Sequence, residues 1–171
     1  MRLYAGRIAP MSEEIVKALA DSEAIEVESR AEVVRDLESV FESYLATERE
    51  ATERAKDALQ ARGLPPTELP RLKKLAAEQK GIKVGDETMD YLLDQLIEML
   101  MHSGNVDEVY VEDHVLRRTM RPIVKKHIEV DLEIDAEVRG KLKHVQEGSR
   151  TWEVEYQRIL GDIQRRKGLV R

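Results

Sequence analysis

Ser29-Arg30-Ala31-Glu32-Val33-Val34-Arg35-Asp36-Leu37-Glu38-Ser39-Val40-Phe41-Glu42-Ser43-Tyr44-Leu45 is the stretch on which the fold turns. Its first four residues have capping-box form: the Ser29 hydroxyl and the Glu32 carboxylate each satisfy a backbone N–H that the first turn of a helix leaves free. Behind them Val33, Leu37, Val40, Phe41, Tyr44 and Leu45 recur at three- and four-residue spacing, and Ala51, Ala55 and Leu59 continue the stripe. That period is helical. No Gly or Pro interrupts it until Gly63, a stop signal just before Pro65-Pro66. The distal half of the stripe is mostly alanine, so it either packs very closely or is only half buried.

Outward from this stretch, the same apolar order returns later in the chain. Leu37, Val40, Phe41, Tyr44 and Leu45 reappear as Met120, Ile123, Val124, His127 and Ile128, and Ala51, Ala55 and Leu59 as Ile134, Val138 and Leu142 in the same register. Upstream, Ile15-Val16-Lys17-Ala18-Leu19 returns as Leu96-Ile97-Glu98-Met99-Leu100; downstream, Lys80-Gly81-Ile82 returns as Lys167-Gly168-Leu169. A fixed apolar order with small insertions marks a diverged tandem duplication. The expected fold is all-α: two homologous three-helix units, residues 1–81 and 82–171, each with one long helix, related by a pseudo-two-fold. A unit of about 85 residues buries a smaller fraction of its surface than the joined chain. A homodimeric single-copy ancestor would explain the fusion.

Within the first unit, Ser12 is read as the cap of a helix carrying Ile15, Val16 and Leu19. Thr67 opens a third helix with Leu69, Leu72, Leu75 and Ala76 turned inward. The second unit repeats the plan over Thr88–His102, 113–145 and 149–167. Pro122 falls inside the long helix, where it removes a backbone hydrogen bond and crowds the preceding turn, so a kink is expected there. The run Ile128-Glu129-Val130-Asp131-Leu132-Glu133-Ile134 alternates as a strand does, but its counterpart from Leu45 to Ala51 does not alternate and lies mid-helix. The duplication therefore reads it as helix.

Charged residues make up 36% of the chain and aromatics 4%, a helical balance. The 28 basic residues face 34 acidic ones, the excess being shared evenly by the two halves. The strongly basic footprint of a general nucleic-acid binder is missing. Cys is absent, which excludes disulfides, thiolate metal sites and cysteine nucleophiles. The apolar stretch 91–101 is interrupted by Asp94 and Glu98 and is far short of a membrane span. A soluble cytoplasmic protein without a membrane partner is expected.

Motifs that carry chemistry are missing as well. None of the four histidines has Glu three residues before it, as carboxylate-bridged metal bundles require, and there is no His-Glu-x-x-His. Phosphate-cradling glycine loops and a Gly-x-Ser-x-Gly elbow do not occur. No catalytic residue, metal site, cofactor or small-molecule substrate is therefore assigned, and an enzyme is disfavoured. His127 lies on the apolar stripe opposite its counterpart Tyr44 and reads as a packed, hydrogen-bonded interior residue. Trp152 is expected to pin the last helix to the long one, its indole N–H on a backbone carbonyl.

Charge patterning supplies the candidate site. Arg117, Arg118, Arg121, Lys125 and Lys126 lie together without an acid among them, and Glu129, Asp131, Glu133, Asp135 and Glu137 follow without a base. Like charges at i, i+4 (Glu129, Glu133, Glu137) disfavour a helix by a few tenths of a kcal/mol per pair, so something must offset them. Three readings stand. One is a solvated face with internal ion pairs, the acids of segment 32–42 facing the bases across the pseudo-two-fold. Another is antiparallel self-association. The third is an anionic partner such as RNA on the basic block, weakened by the lack of aromatic residues for base stacking.

Met1-Arg2-Leu3 followed by Gly6-Arg7-Ile8, and Glu147-Gly148-Ser149-Arg150-Thr151-Trp152-Glu153 continuing through Tyr156 to Arg165-Arg166-Lys167-Gly168, resemble the bacterial family called domain of unknown function 507. The opening motif is clearest in the first unit and the closing one in the second; residues 64–81 lack the Trp and carry Pro65-Pro66 in place of the Gly-Ser turn. The resemblance implies a small, helical, cytoplasmic bacterial protein and brings no substrate, cofactor or catalytic residue. The function expected is a non-catalytic protein-interaction or assembly module, in one variant homodimeric. RNA or ribonucleoprotein association is the alternative, and Arg117, Arg118, Arg121, Lys125, Lys126, Glu129, Glu133 and Glu137 are the candidate partner-binding residues.

Overall fold

A computed structural model describes residues 2–170. In chain order its elements are α1 (Ala5–Asp21), β1 (Ile25–Val27), α2 (Arg30–Ala61), α3 (Leu69–Gln79), α4 (Thr88–His102), β2 (Val106–Val109), α5 (Asp113–Ile128), α6 (Val130–Lys141) and α7 (Arg150–Arg166). The fold is predominantly helical, as the periodicity predicts.

Half of the expected capping box forms: the Glu32 N–H donates to the Ser29 hydroxyl at 3.4 Å, while the Glu32 carboxylate accepts from Arg35 at 2.8 Å. From it α2 runs unbroken to Ala61, and Gly63, at φ 59°, takes the left-handed turn that lets the chain reverse. Its alanine half does pack closely. Ala51 and Ala55 are buried against α3, whose Leu72, Ala76 and Ala77 face inward, while Leu75 stands exposed, contrary to the inward position read from its spacing.

Four helices build the principal core. α2 lies beside α1 and α4, and α5 beside the same two, so α1 and α4 occupy one diagonal of a bundle and α2 and α5 the other. Met11, Ile15, Leu19, Leu37 and Phe41 meet Leu92, Leu96, Leu100, Leu116 and Met120 there, so the core draws on both sides of Gly81. At one end the bundle is tied by an antiparallel ribbon pairing Ile25 with Val109 and Glu26 with Glu108. Three- and four-residue strands give too short an alternation to stand out from the flanking turns, and the sequence reading missed both.

A second, smaller core holds α6 against α7. It consists of Val130, Ile134, Val138, Leu142 and Ile163 with Tyr4 and Leu169 from the two ends of the chain. The N-terminal residues cross between the cores as a strap. The Arg2 N–H donates to the Ile128 carbonyl and the Gly6 N–H to the Leu169 carbonyl, each at 3.0 Å, while the Leu3 side chain enters the bundle.

This strap accounts for two departures from the sequence reading. Helix α1 begins at Ala5, well before Ser12, which is not a cap but a buried mid-helix residue. The added residues, about two turns, contain Pro10, unfavourable by itself, and are held by Gly6 on Leu169 and by burial of Ile8 and Met11. The long helix of the second half is divided, but not at Pro122. α5 passes through Pro122, which is exposed, and the interruption falls at Glu129. There the strap's Arg2 N–H occupies the Ile128 carbonyl, which a continuous helix would give to its own next turn, and the Leu132 N–H bonds to Glu129 instead. Residues 130–134 are helical as the duplication predicted.

Candidate interaction surface

Two helices carry the segregated charges. α5 buries Leu116, Met120, Val124, His127 and Ile128, and α6 buries Val130, Ile134 and Val138. Each therefore turns its charged positions outward. The fold closes several of them on itself. Arg117 pairs with Asp94 and Arg121 with Asp90, both acids on α4, and Lys126 reaches Glu14 on α1 at 2.6 Å. Glu137 is held by Arg166 of α7, with Lys167 at 3.4 Å and Lys141 at 3.8 Å. The partners expected in segment 32–42 are not used, because α2 lies diagonally across the bundle from α5. Asp36 instead accepts from Asn105 Nδ2 at 3.0 Å and from the Ser103 hydroxyl, tying α2 to the turn before β2.

Arg118, Lys125, Glu129 and Glu133 form no ion pair among the described residues. Arg118, Lys125 and Glu133 are exposed, and between the two acids Leu132 is 66% exposed, the most open large apolar side chain of the described residues. The sequence named the charges but passed over Leu132, whose exposed position follows only from the burial of Val130 and Ile134 on the other side of α6.

His127 is buried, and its Nε2 lies 2.8 Å from Glu14 Oε2. Burial pushes the imidazole below its ordinary pKa of 6.5, helped by the positive charges of Arg7 and Lys126 and opposed by Glu14. Glu14 is itself held below its ordinary 4.5 by hydrogen bonds from Lys126 and then His127. The neutral ring donates Nε2–H to the carboxylate, and Nδ1 has no hydrogen-bond partner among the described residues. Its counterpart Tyr44 behaves alike: buried, with its hydroxyl donating to the Lys83 carbonyl at 3.0 Å beside Thr88. His127 thus ties α5 to α1, and Tyr44 ties α2 to the segment leading into α4.

The His127 arrangement sets a pH dependence. Because the folded pKa lies below the unfolded value, the unfolded chain binds the extra proton first, so stability conferred above pH 6.5 is lost as pH falls through the folded value. Glu14 adds a further loss below 4.5. Urea denaturation from pH 7.5 to 4.5 is expected to show stability falling from about pH 6.5 downward, and the decline that sets in there to vanish in His127→Phe. An unchanged slope in that variant would assign the effect elsewhere.

The closing motif assembles around Arg139. Its guanidinium lies 5.4 Å from the Trp152 ring centroid and pairs with Asp135 at 2.9 Å and with Glu147. Trp152 stacks on Tyr156 at 5.0 Å, and the Tyr156 hydroxyl donates to Asp135. Ser149 caps α7 by accepting from the Trp152 N–H at 3.1 Å. Trp152 does join α7 to α6, but through ring faces: no indole hydrogen bond to a carbonyl occurs among the described residues. Beside the strap, a groove of about 570 Å³ lined by Arg2, Leu3, Glu48 and Lys73 has its central charges closed in a 2.9 Å Glu48–Lys73 pair.

Among the described residues, no cluster of three or more acid or histidine side chains is placed to hold a metal ion, and no helix is long and apolar enough to cross a membrane. No curated protein matches the chain. The opening and closing motifs, which come together where Gly6 meets Leu169, fall within one family model matched over residues 1–169, and the chain belongs to that family, proteins of unknown function (DUF507).

Proposed function

We propose that this protein is a non-catalytic interaction or assembly module that engages a protein partner through the outer face of α5 and α6. One observation carries the reading. The fold neutralises Arg117, Arg121, Lys126 and Glu137 internally, yet among the described residues Arg118, Lys125, Glu129 and Glu133 form no ion pair, and the same pair of helices exposes Leu132. An exposed apolar side chain on helices that also carry charges without ion pairs is the composition of a small docking patch. A photo-crosslinking residue placed at position 132 in native cells tests it. Capture of a discrete protein that is lost when Lys125 and Glu133 are reversed in charge supports the reading. Crosslinks no stronger than from the buried position 134 remove it, and recovery of RNA in place of protein favours the basic block as a polyanion site.

We further propose that the two halves, residues 1–81 and 82–171, descend from one duplicated unit. In support, the order helix, strand, helix, helix occurs twice, with α5 and α6 together matching α2. Each half ends in the same glycine cap. Gly81 and Gly168 have φ of 77° and 64°, and the next residues, Ile82 and Leu169, are buried and bond back to Ala77 and Gln164. The pairing of β1 with β2 and the diagonal placement of α1 with α4 also suit a two-fold. Because the principal core is drawn from both halves, the two pieces produced as separate chains are expected to associate when mixed. Two stable monomers without mutual affinity, read by analytical ultracentrifugation, would refute the proposal.

A further inference from the structure

We infer that the partner on this face is a second copy of the chain, docked antiparallel along α5 and α6; the inference rests on the interaction-module reading and specifies its occupant. The four charges of this face that form no ion pair among the described residues are ordered by sign. Arg118 and Lys125 are two helical turns apart and so share one stripe of α5, while Glu129 and Glu133 are one turn apart at the start of α6. Positive therefore precedes negative along the chain. A parallel neighbour would set like charges together, whereas a two-fold neighbour reading in the opposite direction brings each basic pair onto the other copy's acidic pair. An isologous contact requires this self-complementarity.

The rest of the face suits the same occupant. Pro122 and Ala136 are exposed between and beyond the charges and are short, so two helices can approach closely, and Leu132 of each copy is carried into the contact. The repulsion between Glu129 and Glu133, one turn apart, is offset by no ion pair among the described residues, unlike Glu137 with Arg166 and Lys167. A second copy supplies that offset through Arg118 and Lys125. A polyanion would gain the two bases but meet the two acids beside them.

Charge reversal decides the matter, because the signs must obey a strict rule. The full chain is expected to be a reversible dimer at low salt, its affinity falling about tenfold or more at high salt, where unit charges are screened within a few ångströms. Arg118→Glu with Lys125→Glu, and separately Glu129→Lys with Glu133→Lys, should each leave a folded monomer, with folding checked by circular dichroism. Mixed in equal amounts, these two variants should recover the dimer as a heterodimer. A chain carrying all four reversals should pair with itself and not with the unaltered chain. A chain monomeric at every concentration, a dimer indifferent to the reversals, or a mixture that stays monomeric overturns the inference. A partner of different sequence captured from position 132, with the purified chain monomeric, overturns it too while leaving the module reading in place.

Discussion

Gly6→Ala is expected to destabilise the protein by about 3 kcal/mol, at the upper end for adding one methyl group to a packed site. The sign is informative, because Gly6 sits in the first turn of a helix at an ordinary φ, and alanine there would by itself stabilise by about 0.5–1 kcal/mol. What reverses the sign is the approach of the other end of the chain. A Cβ on Gly6 would lie 1.5 Å from the Gly168 carbonyl oxygen and 2.9 Å from the Leu169 Cα. These atoms are backbone, so no side chain can swing aside. Either the Gly6–Leu169 hydrogen bond is lost and the strap lifts, or the end of α7 is displaced and Leu169 leaves its buried site. Urea denaturation measures the loss, and hydrogen exchange at Gly6 and along α7 should rise with it. A variant as stable as the parent would mean that the two ends do not dock.

Phe41→Ala should cost about 3–5 kcal/mol, the usual range for emptying a buried phenylalanine site. Phe41 is the only phenylalanine, has no solvent exposure, and lies in α2 within the core that both halves share. The site cannot collapse easily, since its neighbours belong to helices fixed on two sides. A loss of this size is a large part of the roughly 5–15 kcal/mol that holds a domain folded. The expected result is a lower denaturation midpoint without a separate early transition for either half. By contrast Leu132→Ala, on the outer face of α6, should stay within about 0.5 kcal/mol. An independent transition for residues 82–171 in the Phe41 variant would show that the halves have separate cores.

The family motifs gain a physical meaning from these contacts. The opening Arg2-Leu3 and Gly6 form the strap, and the closing Gly168-Leu169 is what the strap grips. Glu147, Trp152 and Tyr156 of the closing motif hold α7 to α6 through Arg139 and Asp135, and Ser149 caps α7. Spacing alone did not reveal that the two motifs, at opposite ends of the chain, touch. The one available signal was indirect: an early glycine in a helical stretch, with no turn to explain it. For the charged face the sequence supplied every charged residue but not the sorting. Which bases are neutralised depends on α4 and α1 lying beside α5, and no local pattern encodes that.

What the chain encodes locally it encodes well. The cap at Ser29, the span of α4, the unbroken α2 and the glycine end at Gly63 all rest on contacts within a few residues, and they are where the residues place them. The packed interior position of His127 also followed from periodicity and its match with Tyr44. The tertiary structure decided the early start of α1, the short ribbon, the identity of each ion-pair partner and the interruption at Glu129. In each case a group distant in the chain competes with a local one for the same atom or space. The Ile128 carbonyl shows it most directly: the helix would use it, but the N–H of Arg2, brought there by the buried Leu3, takes it, and the helix begins again one residue later.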